Sequence, residues 1–562
     1  MKLFLARATF CALAALMTLT ACNQAESPKS ATDTQSTNHY QTVLESIYSA
    51  DMPGATVVVS RQNEILFSGA VGMADMEMAV PLSEHSIMRL ASVTKQYTAA
   101  AIMKLIEEGH LALDDTLEKF WPESRYKHVT IHQLLNHSSG IPSYTNIPGY
   151  VTGDPMRRHV STADLLETFM DLEPDFPAGT AFRYNNSGYV LLGAIIEKLS
   201  GNAWDEYIAE ALLAPIGVEQ TRYFGSEPIL RHRARGYQID TEQGVVNAPW
   251  ISLSQPHAAG ALKATALEVD RWQRALHQGE VLQPESYAAM IREDEITGEY
   301  GYGLLVGSLA GMPMISHDGG IHGFNTSAVW LPDAQVSVVV LSNFAGHQPM
   351  PATLAYRLAA YAAGQPFPIE EDRIELPVET LERYHGTYQI NATTQRTLQV
   401  RDGQLYSQRQ GGTASRAQPI SKTTFVLDGS LAYFTMVLAD DGAVSGVNFF
   451  QVNSAIPEFA ERVSDQVSTR QRAELSAEQL QRLLGAYELQ PGFVITLRLE
   501  GEQLLAQATG QGAFPVYPES ASRVYNAEIG IEMEFTLPAE GPATSLTLFQ
   551  SGLEIPAPRI SE

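Results

Sequence analysis

The last third of the chain is an internal repeat, and no other feature of the sequence divides the molecule so firmly. Leu376-Pro-Val-Glu-Thr-Leu-Glu-Arg-Tyr-His-Gly386-Thr-Tyr388 returns as Leu475-Ser-Ala-Glu-Gln-Leu-Gln-Arg-Leu-Leu-Gly485-Ala-Tyr487, at an offset of 99 residues. The same offset pairs Leu398 with Leu497, Val400 with Leu499, Leu405 with Leu504, Gln408 with Gln507, and Phe450-Gln451 with Phe549-Gln550. Chance likeness of two β-rich stretches is the alternative. A shared Leu-x4-Gly-x-Tyr at a fixed distance from the later matches argues against it. Each copy opens with a short helical pattern and continues as alternating strands with turns such as Asp402-Gly403 and Asp441-Gly442. Several short strands of period two predict a small antiparallel barrel, made twice, over 375–467 and 473–562. Gln365 to Leu376 is rich in Pro and Glu and reads as the linker before them.

A chain of 562 residues suits about three or four domains at roughly 150 residues each. Two are the repeats, which leaves residues 39–366 for one larger unit. Ala55 to Ser60 and Glu64 to Ala70 are β-rich and joined by Arg61-Gln62-Asn63, a hairpin pattern. Ser92 to Glu108 has helical periodicity and stops at Gly109. The middle mixes helices with Pro/Gly loops. Val329 to Leu331 and Val336 to Leu341 are β-rich again around Pro332-Asp333, and Ala352 to Ala363 is helical. Strands and a helix at both ends of a mostly helical middle predict an α+β unit with one sheet assembled from its two ends.

Asp and Glu outnumber Lys and Arg by 63 to 37, a net charge of −26. Such a surface repels phosphate backbones, so nucleic acid is excluded as a partner. Cys11 and Cys22 are the two cysteines, which excludes a disulfide framework and a multi-cysteine metal site. Both lie in the N-terminal segment. Lys2 and Arg7 precede an apolar run from Ala8 to Leu19, too short for a membrane span and suited to an export signal. The run ends in Leu19-Thr20-Ala21-Cys22, which resembles a bacterial lipoprotein box. That resemblance implies a signal over 1–21, lipid on Cys22, and attachment to the cell envelope. Asn23 after Cys22 favours the periplasmic face of the outer membrane if the cell is Gram-negative. A soluble export signal cut near Ala21 is the alternative. Residues 22–38 are polar, without apolar periodicity, and read as a flexible tether.

Ser92-Val93-Thr94-Lys95 opens the long helix. Positions i and i+3 share a helix face, so the amine lies one turn from the hydroxyl, at a helix N-terminus that favours negative charge. A base must be neutral. Bringing a lysine from about 10.4 to near 7 takes roughly 4–5 kcal/mol of burial and neighbouring charge. Ser124-Arg125-Tyr126-Lys127 has the same spacing but lacks an apolar helix behind it and reads as surface loop; Ser92 precedes Ala99, Ala101, Ile102, Leu105 and Ile106. Tyr184-Asn185-Asn186 offers a phenol and an amide before an apolar helix and after the Pro177-Ala178-Gly179-Thr180 turn. Tyr144-Thr145-Asn146 matches Tyr-x-Asn too, without that context. His317-Asp318-Gly319-Gly320 precedes the late strands, where glycine lets another backbone approach.

In this order, Ser92-x-x-Lys95, Tyr184-x-Asn186 and His317-x-Gly319 resemble the three motifs of the serine β-lactamase and penicillin-binding-protein superfamily. His-x-Gly in place of Lys-Thr-Gly, with Tyr in the second motif, is similar to the class C β-lactamase-like branch, which includes D-Ala-D-Ala carboxypeptidases, D-aminopeptidases and esterases. Leu135-Asn136-His137-Ser138-Ser139-Gly140, Ala259-Gly260-Ala261-Leu262 and His322-Gly323-Phe324-Asn325 are further family-like stretches. The C-terminal pair resembles the lipocalin-like barrels appended to some members. The resemblance implies a β-lactamase/DD-peptidase-like fold. It casts Ser92 as nucleophile, Lys95 as its base or proton partner, and Tyr184 as a group that assists proton transfer to the leaving group. Asn186 would orient substrate or the Lys95 amine, and His317 would anchor substrate and tune Tyr184, with a KM that titrates near pH 6–7. Gly319 and Gly320 would border the substrate, and the Ser92 and Gly320 N–H groups would form the oxyanion hole. No metal or cofactor is implied. The expected substrate is a small peptide or amide, favoured as D-amino-acid-containing. A β-lactamase or esterase of the same fold, and a penicillin-binding sensor with little turnover, are the alternatives. Barrels that roofed the mouth of the site would suit a short-peptide enzyme.

Overall fold

The computed structural model describes residues 31–560 apart from 224–228, 369–371, 393, 468–471, 491–492, 502, 510, 527–528 and 551–552. The expected signal, Cys22 and the start of the expected tether lie outside the described residues. The first helix, α1, runs from Ala31 to Ile47 and so extends into the stretch expected to be a tether. Tyr40, Val43 and Leu44 of α1 are buried against the sheet. They hold a helical nucleus in place, and lengthening an existing helix costs far less than starting one. A polar stretch without periodicity can therefore be helical when it precedes a docked turn.

In chain order there follow β1 (Ala55–Arg61), β2 (Glu64–Val71), α2 (Thr94–Glu107), α3 (Asn186–Ser200), α4 (Ala266–His277), β3 (Leu305–Leu309), β4 (Met312–Ile321), β5 (Phe324–Leu331), β6 (Val336–Ser342) and α5 (Pro351–Ala362). The six strands form one antiparallel sheet in the order β2-β1-β6-β5-β4-β3, built from both ends of the unit as the sequence predicts. Gln62 and Asn63 both take positive φ, which fits the tight β1–β2 hairpin. Val57 and Val59 of β1 face one way, with Val338 and Val340 of β6, into a core shared with α1 and α5. Val58, Val339 and Leu341 face the other way, into the core that holds α2, α3 and α4. Helices cover both faces, which is why these strands read as apolar runs and not as alternation.

The two repeats are β-barrels. The first closes with eight antiparallel strands between Gly386 and Ser464 around Leu398, Leu405, Phe425, Phe434 and Val447. The second is a nine-stranded sheet whose terminal strands, Phe514–Pro515 and Tyr517–Ser520, are separated by Val516 alone, so it is nearly closed. The shared Leu-x4-Gly-x-Tyr has one physical basis in both. Tyr388 donates to the Tyr384 carbonyl at 2.6 Å and Tyr487 to the Leu483 carbonyl at 2.9 Å, each tying the strand back to its helix. Gly386 and Gly485 carry φ of +153° and +139°, and a Cβ there would strike the Ser464 carbonyl at 2.4 Å or the Arg559 guanidinium at 2.8 Å.

The first barrel docks away from the chemistry. Ala310, in the β3–β4 turn, donates its N–H to Val452 at 2.8 Å, and Ser308 Oγ donates to the Asn453 carbonyl at 2.7 Å. Leu431 joins the core of α1 and α5. These contacts lie on the face of the sheet opposite α2 and about 23 Å of strand from His317. The expectation that the barrels roof the mouth of the site is therefore not met by the first barrel.

Candidate active site

Ser92 sits in a single 3₁₀ turn, Ala91–Val93, that leads into α2. Ala91 holds φ of +49°, a strained conformation for a residue with a side chain. The turn is gripped from β4. A Cβ on Gly319 would lie 2.5 Å from the Leu90 carbonyl, 3.0 Å from Ala91 Cβ and 2.4 Å from Thr326 Oγ1. Glycine at 319 is thus a condition for the strand to pass the turn that carries Ser92. Gly320, next along, is exposed, and it pairs with Asn325 across the hairpin.

One helical turn on, Lys95 is fully buried. Its Nζ donates to Asn186 Oδ1 and to the Ala259 carbonyl, both at 2.8 Å, and lies 3.2 Å from Ser92 Oγ. Burial pushes its pKa well below the ordinary value. The amine also lies 4.7 Å from the centroid of the Tyr184 ring. Asn186 Nδ2 donates to Thr145 Oγ1 at 3.1 Å, which fixes the amide with its oxygen toward Lys95. Asn185 caps α3 by accepting from Gly188 N–H at 2.7 Å, so the start of α3 aims Asn186 at the amine.

The Tyr184 hydroxyl is buried and makes no well-formed hydrogen bond. Burial holds its pKa well above the ordinary phenol value, and the nearby Ser92 hydroxyl offsets this only in part. His317 is buried, with its ring 6.3 Å from that of Tyr184. Its Nδ1–H donates to the Asp318 carbonyl at 2.6 Å, and its Nε2 accepts from the Tyr300 hydroxyl at 2.9 Å. Burial, with Lys95 nearby, pushes the imidazole down to about 3. It is neutral near pH 7, so the partly charged anchor expected at this position is absent.

The structure thus gathers Ser92, Lys95, Tyr184, Asn186, His317 and Gly319 into one cleft between the sheet and the helical middle. It also brings in groups the three motifs do not name. His137 is buried with its ring 4.5 Å from Tyr184 and 4.6 Å from Tyr300, and its Nδ1 accepts from Asn185 N–H at 3.2 Å. The Ala259 carbonyl and Thr145 hold the amine and the amide. His137 and Ala259 fall within family-like stretches. Tyr300 had one signal, the Tyr300-Gly301-Tyr302-Gly303 alternation, where a Cβ on Gly303 would strike the Lys95 carbonyl at 2.7 Å. Tyr144, of the other Tyr-x-Asn, turns away, donating to the Gln255 carbonyl at 2.6 Å. Among the described residues no group of three or more His, Cys, Asp or Glu could hold a metal ion.

A family model described as Beta-lactamase matches residues 29–363. The chain belongs to the β-lactamase family. The matched stretch contains every residue of the cleft. A second model, a domain of unknown function (DUF3471), matches residues 469–557, the second barrel. Among relatives of this β-lactamase-family chain, penicillin-binding protein 4* of Bacillus subtilis is 26% identical over 430 residues, covering 72% of this chain and 95% of that protein. A penicillin-binding protein from Bacillus halodurans superposes with a TM-score of 0.50 at 26% identity, over 55% of this chain and 95% of that one. An octameric penicillin-binding protein homologue from Pyrococcus abyssi shares the fold, with a TM-score of 0.53 at 24% identity, over 76% and 99%.

Proposed function

We propose that the protein is a serine hydrolase that cleaves small peptides or amides, D-amino-acid-containing ones above all, through an acyl-enzyme on Ser92. The observation that carries this is the Lys95 amine. Two of its contacts are to acceptor-only oxygens at 2.8 Å, and these hold two N–H bonds. In the neutral amine the remaining tetrahedral position is a lone pair directed at Ser92 Oγ, 3.2 Å away. Burial supplies the neutral form that the sequence demanded of a base.

The steps balance. Ser92 Oγ bonds to the substrate carbonyl carbon as its proton passes to Lys95 Nζ. The oxyanion is received by the N–H groups of Ser92 and Gly320. Tyr184, held protonated, gives its proton to the departing amine and recovers one from the Lys95 ammonium. Water then bonds to the acyl carbon as its proton passes to Lys95 Nζ, and the bond to Ser92 Oγ breaks as Oγ takes that proton back and the acid leaves. The D-amino-acid preference is supported by the resemblance of the three motifs, and acylation by penicillin by the names of the relatives. The Leu19-Thr20-Ala21-Cys22 pattern supports export and attachment to the envelope through lipid on Cys22. The test is a hydrolysis panel of D-amino-acid amides, D-Ala-D-Ala peptides, p-nitrophenyl esters and nitrocefin, with the full chain and its Ser92→Ala variant. Turnover of the amides or peptides that vanishes in the variant is expected. Turnover confined to nitrocefin or esters would reassign the substrate, and a burst without turnover would make the protein a penicillin-binding sensor.

A further inference from the structure

Beside the cleft, past the end of β4, lies a second cavity of about 370 Å³. Its lining includes Arg89, Arg233, Arg235, Lys263, Trp250 and His322. In a chain of net charge −26 this concentration of cations is out of character. Among the described residues the carboxylates that line or border the cavity are taken up by Arg235 and Asn247. Glu77 lines the cavity but is engaged by Arg235 and by Asn247, and Asp75 pairs with Arg235 at 3.4 Å. Among the described residues no carboxylate forms an ion pair with Arg89 or Arg233. Arg89 is half-buried, donates to the His322 carbonyl at 3.3 Å and lies 5.4 Å from the centroid of the Phe324 ring. Burial, Arg89 and Arg233 together push Lys263 down to about 7, which is the mark of cations held near one another.

The place of the cavity relative to the nucleophile gives it a direction. Arg89 precedes Ser92 by three residues, so their Cα atoms are within about 11 Å. Along β4, His317 marks the end near Tyr184, which donates to the leaving group. Gly320 follows, and His322, on the cavity wall, comes about 7 Å further on. A substrate whose carbonyl lies at Ser92 and Gly320 therefore sends its leaving group toward His317 and its acyl portion toward the cavity.

We propose that this cavity is a subsite for a carboxylate carried on the acyl side of the substrate. The assignment rests on Ser92 being the nucleophile, and it gives the substrate class a charge. A carboxylate would be paired by the Arg89 and Arg233 guanidiniums and would favour the charged form of Lys263. Trp250, 55% exposed on the rim, offers its ring to the connecting chain.

The test measures affinity in the full chain carrying Ser92→Ala, so that turnover plays no part. N-succinyl-D-alaninamide and N-propionyl-D-alaninamide differ by one carboxylate and are titrated side by side by calorimetry. The succinyl compound is expected to bind at least about 10-fold more tightly. Adding Arg233→Glu, a reversal at an exposed position that leaves the core intact, is expected to bring the ratio below about 3-fold. Arg271→Glu, which reverses a surface charge paired with Glu280, should keep the full ratio. Equal binding of the two compounds, absence of binding by either, or a ratio that survives Arg233→Glu overturns the subsite. The hydrolase reading is judged apart, by turnover of both compounds in the wild-type chain. A preserved ratio without any amide turnover would overturn that reading and leave the anion site standing.

Discussion

Ser92-x-x-Lys95 and Ser124-x-x-Lys127 have the same spacing and share almost nothing else. Lys95 is fully buried among Asn186, Ala259 and Ser92. The Lys127 side chain is 40% exposed and leans toward Glu118 at 3.6 Å. Ser124 Oγ accepts from the Tyr126 N–H at 3.1 Å, so that hydroxyl stabilises a turn. The second motif follows a Pro-containing turn, where i and i+3 do not stack on a helix face. The spacing is therefore not the site. What sets one copy apart is a buried helix that strips water from the amine and a strand that grips the serine's turn.

The contrast can be broken most directly at the serines. Ser92→Ala is expected to lower turnover by roughly 10⁴-fold or more and to abolish fluorescent-penicillin labelling, while Ser124→Ala keeps both. Covalent labelling that persists in Ser92→Ala would sink the assignment. At the lysines, Lys95→Met should lower kcat by roughly 10²–10⁴-fold. It should also remove the acid limb of kcat/KM, because Lys95 is a base only when unprotonated and loses that form as pH falls. Lys127→Met should shift neither, and an acid limb intact in Lys95→Met would assign the base elsewhere. Gly319→Ala sharpens the role of the strand. Its Cβ would sit 2.5 Å from the Leu90 carbonyl, and the displaced turn should cost about 10²-fold in kcat, read against an unchanged far-ultraviolet spectrum.

The smallest effect separates two kinds of buried base. With His317 held at about 3, KM should stay flat from pH 5 to 8, and a titration near 6–7 would restore the charged anchor. The same depression bears on stability. The unfolded imidazole takes a proton near pH 6.5 and the folded one does not until about 3, so stability present above 6.5 is lost as pH falls through that window. His277, also buried and held near 3, adds to it. The melting temperature should drop between pH 7 and 4, and His317→Gln should lessen the slope.

Spacing alone could not separate the two Ser-x-x-Lys copies, but the apolar residues behind Ser92 could, since only a buried helix can hold a neutral lysine. The turn before Tyr184 likewise separated it from Tyr144. The sheet built from two chain ends was legible because its strands are continuous apolar runs. The barrels were legible because a repeat exposes the glycine and tyrosine that both copies need. His137, Tyr300 and the Ala259 carbonyl were not legible as site groups, because their partners lie far off in the chain. The start of α1 and the docking of the first barrel were hidden for the same reason.

That sheet also sets a timetable. The strand that grips the Ser92 turn lies more than 220 residues downstream of it, so a ribosome making about 5–20 residues per second needs roughly 10 to 45 s to supply it. Until β4 to β6 emerge and pair with β1, Ser92 belongs to a half-made chain with no strand against its turn. Assembly of the cleft is thereby postponed to the end of synthesis of this unit, and a chain truncated before Gly319 would carry Ser92 and Lys95 but not the strand that holds their turn.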